Sequence, residues 1–96
     1  MYMNRYKITL EQIGGDGDVQ RSAGFGFENH DDVFRIIGKM NESGLFADEA
    51  EAMRFGVGLK LFASVMMCHR QEPLFSDFEP AFVGFMKKLK GGIAGR

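Results

Sequence analysis

The chain is 96 residues long, with twelve basic and thirteen acidic side chains and a formal charge of −1. A near-neutral chain lacks the field that draws a protein onto nucleic acid or an anionic membrane, and this length holds one domain, not two. Apolar residues make up 45% and charged residues 26%, which excludes a disordered chain and announces no reaction.

The core-forming supply is ten Phe, seven Met and two Tyr, with no Trp. Phe brings large apolar area and Met fills irregular gaps. One cysteine, Cys68, leaves no intrachain disulfide to form and suits a reducing compartment. The opening residues have no apolar run of signal-peptide length. The longest apolar stretch, Leu61 to Cys68, is interrupted by Ser64, whereas a membrane span needs roughly 20 apolar residues. A soluble, cytoplasmic protein is expected, with no membrane contact.

Residues 4–12 alternate. Tyr6, Ile8 and Leu10 share one side; Arg5, Lys7, Thr9 and Glu11 share the other. Period two predicts a half-buried strand. Gly14-Gly15-Asp16-Gly17-Asp18 follows and reads as a turn. Residues 19–27 alternate again, with Val19, Ala23, Phe25 and Phe27 on one side and Arg21 among them by parity. An antiparallel hairpin with a long loop is expected.

A lone hairpin is not stable in water, so its apolar face is expected to lie on helices. The first helix is predicted from Asn29 to Ser43, with Asn29 as N-cap and Asp31 and Asp32 in the first turn. Val33, Ile36, Ile37 and Met40 recur at i, i+3, i+4, i+7, one apolar stripe. Gly44 fits the left-handed residue past the helix end, with Leu45 touching Met40 in a Schellman cap.

The second helix is predicted from Asp48 to about His69 or Arg70, with Asp48 and Glu51 as a capping box. Val57, Leu61, Val65 and Cys68 mark one face; Phe55, Leu59, Phe62 and Met66 mark the next. A helix apolar over most of its girth is expected to be buried over most of it, so this helix is placed at the centre. Pro73 to Asp77 turns the chain. A third helix is predicted from Pro80 to Lys90, with Gly91 ending it and residues 92–96 as a flexible tail. The whole is an α+β domain over residues 1–91: a two-stranded antiparallel hairpin packed on about three helices.

Four segments then carry a resemblance. They are Asn29-His30-Asp31-Asp32-Val33, Gly56-Val57-Gly58-Leu59-Lys60-Leu61-Phe62, Arg70-Gln71-Glu72-Pro73-Leu74-Phe75, and Phe82 through Lys90. Together they resemble a family of small bacterial proteins known only as a domain of unknown function. The resemblance covers nearly the whole chain and implies a hairpin-plus-helices fold. It implies no activity.

Gly56 and Gly58 stand out, because each costs about 1 kcal/mol relative to Ala inside a helix. The plainer account is close backbone approach to a neighbouring element; the sharper one is a ligand or partner on bare backbone. Gly-Val-Gly within a helix lacks the spacing of a phosphate loop. Close packing would make Gly58→Leu unfold the chain. Gly24 and Gly26 bare one face of the second strand, through bending or as a docking surface. Open sheet edges invite pairing with another chain, so a homodimer is expected.

Cys68 and His69 are adjacent, and neighbouring helical residues diverge. Cys68 is read as core, and His69 and Arg70 as cations at the helix C-terminus. No catalytic residue is assigned. Glu28, His30, Asp31 and Asp32 are metal-capable types, but successive residues of a helix start fan apart, so a capped helix is read there and no metal. Asp16-Gly17-Asp18 lacks the remaining ligands of a calcium loop. Residues 28–51 carry seven acidic and two basic side chains, and residues 87–96 carry four basic and no acidic ones. Dipole compensation accounts for both runs, and the aromatics fall at core spacing, so no nucleic-acid partner and no cofactor are expected.

Three functions follow. First is a non-catalytic protein-interaction module, homodimeric. Second is a small-ligand or anion-binding regulator, with Arg5, Lys7, Lys60 or Arg70 at the mouth of a pocket between hairpin and second helix. Last is an enzyme, which would need His30 or His69 brought near an acid or thiol by tertiary packing.

Overall fold

A computed structural model describes residues 3–94. The elements run β1 (Asn4–Ile13), β2 (Val19–Asn29), α1 (Val33–Glu42), α2 (Glu49–Cys68), α3 (Pro73–Ser76) and α4 (Glu79–Ala94). The class is α+β, a two-stranded antiparallel hairpin plus helices, as the periodicities require. The chain divides between Asp32 and Val33 into two compact units.

In the hairpin, β1 and β2 pair from Asn4↔Asn29 to Gln12↔Arg21, then shift by one residue to Ile13↔Val19. Tyr6 stacks on Phe27 with ring centroids 5.1 Å apart. Arg21 falls on the apolar side, as parity demands, and its Nε donates to Gln12 Oε1 at 2.6 Å. The loop closes by local bonds: Gly14 N–H to Asp18 O at 2.9 Å and Asp18 N–H to Asp16 Oδ1 at 3.0 Å. Asp16 thus makes an Asx turn, and Gly17 takes a positive φ of 89°.

Strand β2 runs further than expected, through Asn29, so Asn29 is not a helix N-cap. Its Oδ1 accepts from Asp31 N–H at 2.9 Å. An Asx turn and an N-cap use the same side-chain acceptor, and here the turn wins. Helix α1 starts at Val33 with no acidic residue in its first turn.

Among the helices, α1 buries Val33, Ile37 and Met40, three members of the heptad-spaced stripe or its edge. It packs on α2. Gly44 has a φ of 78°, the left-handed turn expected after α1. Leu45 does not complete the cap as a buried contact: it is exposed, and its N–H donates to Ser43 Oγ at 3.2 Å.

Asp48 caps α2 as expected, its Oδ1 accepting from Glu51 N–H at 2.8 Å. Glu51 Oε1 reaches back one residue further than a standard box, to Ala47 N–H at 3.2 Å. Helix α2 is central to its unit, with α1 on one flank. On the other flank Phe55 meets Phe85, and Phe62 meets Phe75, Phe78 and Phe82, all at centroid distances of 6.0–6.4 Å.

The burial of α2 needs correction. Only Ala52, Gly56 and Met66 are buried along it. Met53, Phe62, Val65, Met67 and Cys68 are exposed. Two flanking helices cover two sides of a cylinder, not its whole girth. The segment after α2 also holds a fourth helix, the single turn α3 that begins at Pro73. Helix α4 does not stop at Gly91; it continues to Ala94, because Gly91 and Gly92 keep helical backbone. Of the expected tail, Gly95 and Arg96 lie outside the described residues.

Candidate functional site

The hairpin register sorts the candidate residues onto two faces. One face carries the pairs Tyr6↔Phe27, Ile8↔Phe25 and Leu10↔Ala23. The other carries Arg5↔Glu28, Lys7↔Gly26, Thr9↔Gly24 and Glu11↔Ser22. So Arg5, Lys7, Gly24 and Gly26, four of the eight singled out from sequence, share one face. The glycines suit this place, because a Cβ would sit 3.2 Å from Ile8 O at Gly24 and 3.3 Å from Tyr6 O at Gly26. The bare strand leaves the Lys7 stem room to lie across it. Arg5, Tyr6, Lys7, Phe25 and Gly26 line an open recess of about 470 Å³.

At the root of the hairpin, Asn4 Nδ2 donates to Asp31 O at 3.1 Å and Tyr6 Oη to the same carbonyl at 3.0 Å. These bonds fix the chain leaving β2. Toward the loop the apolar face is bare. Leu10 is 71% and Phe25 49% exposed there, and on the opposite face, past the register shift, Ile13 is 56% and Val19 49% exposed. Tyr6, Ile8 and Phe27 are half-buried. This graded exposure escaped the sequence reading, which treated the apolar face as uniform. One signal was available: Ala23, opposite Leu10, is too small to shield it.

The other four candidates lie on the helices. Gly56 is a close approach: a Cβ there would stand 3.2 Å from Met40 Sδ and 3.4 Å from Ile37 Cγ1. Gly58 is not, since a Cβ would meet nothing within 4 Å. The close-packing account therefore fails at Gly58, one hundred-degree step per residue having turned it two steps away from α1. Lys60 is half-buried along α2. Arg70, past the end of α2, does not serve that helix terminus; its Nη2 pairs with Glu79 Oε1 at 3.3 Å, in the first turn of α4.

Cys68 is exposed, not core. His69 caps α2 through its backbone N–H to Met66 O and lays its ring on Phe75 at 6.0 Å. Residues 67–72 line a second open recess of about 340 Å³. Among the described residues, no group of three or more His, Cys, Asp or Glu side chains is placed to hold a metal ion. No helix among them is long and apolar enough to cross a membrane.

A sequence profile for a domain of unknown function with a solved structure, DUF3861, matches residues 4–91. The chain belongs to the DUF3861 family. The match spans both the hairpin and the helices, so the family resemblance holds along the chain. This DUF3861 chain is also similar to a crystallised protein of unknown function from Pectobacterium atrosepticum SCRI1043. The two are 37% identical, with a TM-score of 0.82, over 94% of this chain and 99% of that one. No curated protein matches the sequence.

Proposed function

We propose that this DUF3861 chain is a small, non-catalytic protein-interaction module that works as a homodimer in the cytoplasm. One observation carries the reading: apolar side chains stand in water on both faces of a two-stranded hairpin, Leu10 and Phe25 on one and Ile13 and Val19 on the other. Fully burying a side chain of this size is worth roughly 1.5–3 kcal/mol relative to leaving it in water. Four such side chains in water reward cover by another chain. Self-pairing is the commonest form of such cover. The single exposed cysteine suits a reducing compartment. Sedimentation equilibrium of the full chain tests the reading: the mass of two chains is expected at micromolar concentration. The mass of one chain across the accessible range removes the homodimer.

A second reading has its own support. Arg5 and Lys7 stand side by side on the glycine-bared face, above the recess they line with Gly26. Two adjacent cations on open backbone suit a small oxyanion. Titration with inorganic phosphate, followed by amide NMR, is expected to move the signals of Arg5, Lys7 and Gly26 together and saturably. Shifts scattered over the surface without saturation remove it.

A further inference from the structure

We propose that two copies of the chain join edge to edge along β1, antiparallel, with the two-fold axis at Ile8. The product is a four-stranded sheet in the order β2–β1–β1–β2. This rests on the homodimer reading above and specifies its contact.

The sheet has two strands, so β1 has one edge paired with β2 and one without a strand. In an antiparallel self-pairing, residues equidistant from the axis lie opposite each other and on the same face. With the axis at Ile8, Arg5 lies opposite Glu11 of the second copy, and Glu11 opposite its Arg5. Tyr6 meets Leu10, Lys7 meets Thr9, and Asn4 meets Gln12. Opposite charges, apolar side chains and amides each find their like in one register.

Neighbouring registers match fewer pairs. An axis at Tyr6 sets Arg5 against Lys7, like charges directly opposite, which is destabilising. An axis at Thr9 keeps Lys7 against Glu11 and Ile8 against Leu10 but sets the charged Arg5 against Ile13 and Tyr6 against Gln12, so it matches only part of the strand. An axis at Lys7 sets Asn4 against Leu10 and leaves Arg5 beside Thr9. Strand β2 offers no equivalent, because Arg21 and Glu28 lie on opposite faces of it. No self-pairing of β2 can bring them together.

The hairpin's own pairing leaves room for this contact. Glu11 faces Ser22, and Leu10 faces the small Ala23. In the joined sheet the open flank of Leu10 receives the Tyr6 ring of the second copy. The bare end of one stripe thus lies beside the half-buried end of the other, which an antiparallel two-fold achieves twice.

Charge complementation tests the register on the full chain. Glu11→Lys turns both contacts of its homodimer into repulsions, and so does Arg5→Glu. Two reversed cross-strand pairs should weaken each homodimer roughly tenfold or more. An equimolar mixture of the two variants restores both attractions, so association should return to within a few-fold of the parent. Glu11→Lys faces only Ser22 in its own hairpin and leaves the fold intact; thermal melts of both variants verify this. Separately, Ile8→Cys in a Cys68→Ser chain should form an intermolecular disulfide, because directly opposed Cα atoms lie about 4.5–5.5 Å apart. A dimeric parent whose association ignores Glu11→Lys, or whose variants do not complement, overturns the register while the homodimer stands. A monomeric parent overturns both.

Discussion

The seam between α1 and α2 and the outer half of the hairpin are built from the same kind of apolar periodicity, with opposite outcomes. At the seam, Ile37 and Met40 press on Gly56, and all three are buried. On the hairpin, Leu10 and Phe25 line a stripe just as regular, and both are exposed. The difference lies in what faces each stripe. Helix α1 meets a second helix whose glycine admits close contact. On the hairpin, Leu10 faces only the small Ala23. One region stores stability, and the other leaves apolar side chains exposed.

Five substitutions probe that contrast. Ile37→Ala deletes a buried side chain at the seam and should cost about 2–4 kcal/mol in a urea melt. A loss below that range would mean the seam is loose, and the contrast with the hairpin would blur. Gly56→Leu pushes into Met40 and Ile37; overpacking outweighs the helix-propensity gain, for a net loss of about 1–2 kcal/mol. Gly58→Leu, two residues on, should be neutral or stabilising by up to about 1 kcal/mol, since propensity acts there without a clash. If both leucines behaved alike, close approach would not explain Gly56.

Asp48→Ala removes the side-chain acceptor from Glu51 N–H and should cost about 1 kcal/mol. This loss belongs to the helix start and should leave association unchanged. Leu10→Ser should have the smallest effect on the melt of dilute protein, under about 0.5 kcal/mol, because the side chain is already in water. Its signature is different: the midpoint should lose its dependence on protein concentration. A large loss in dilute protein would show that Leu10 already has cover within its own chain.

Much of this is legible in the sequence. The alternation of residues 4–12 placed β1 and its two faces. Asp48 with Glu51 marked the start of α2, because a short acceptor three residues before a free N–H has little else to bind. Gly44 marked the end of α1, because a left-handed residue there excludes most side chains. Other positions carried ambiguous chemistry. Asn29 could cap a helix or close an Asx turn, and only the neighbouring strand decided. Gly91 could end a helix or sit within one, since glycine tolerates both.

Of the candidate site, the sequence placed Arg5 and Lys7 on one side of a strand, but not Gly24 and Gly26 opposite them. That required the register, a long-range property of two strands. The sorting of Gly56 from Gly58, and of Met40 from Cys68, required knowing which neighbour lay against each side of α2. Local structure follows from local rules: dihedral preferences, caps and periodicity act within a few residues. Burial does not, because an apolar side chain records only that it avoids water, and the rest of the fold decides which surface covers it. For this chain, composition and pattern determined the elements and their faces. Tertiary packing alone decided that one apolar stripe is core and that the outer end of the other stays exposed.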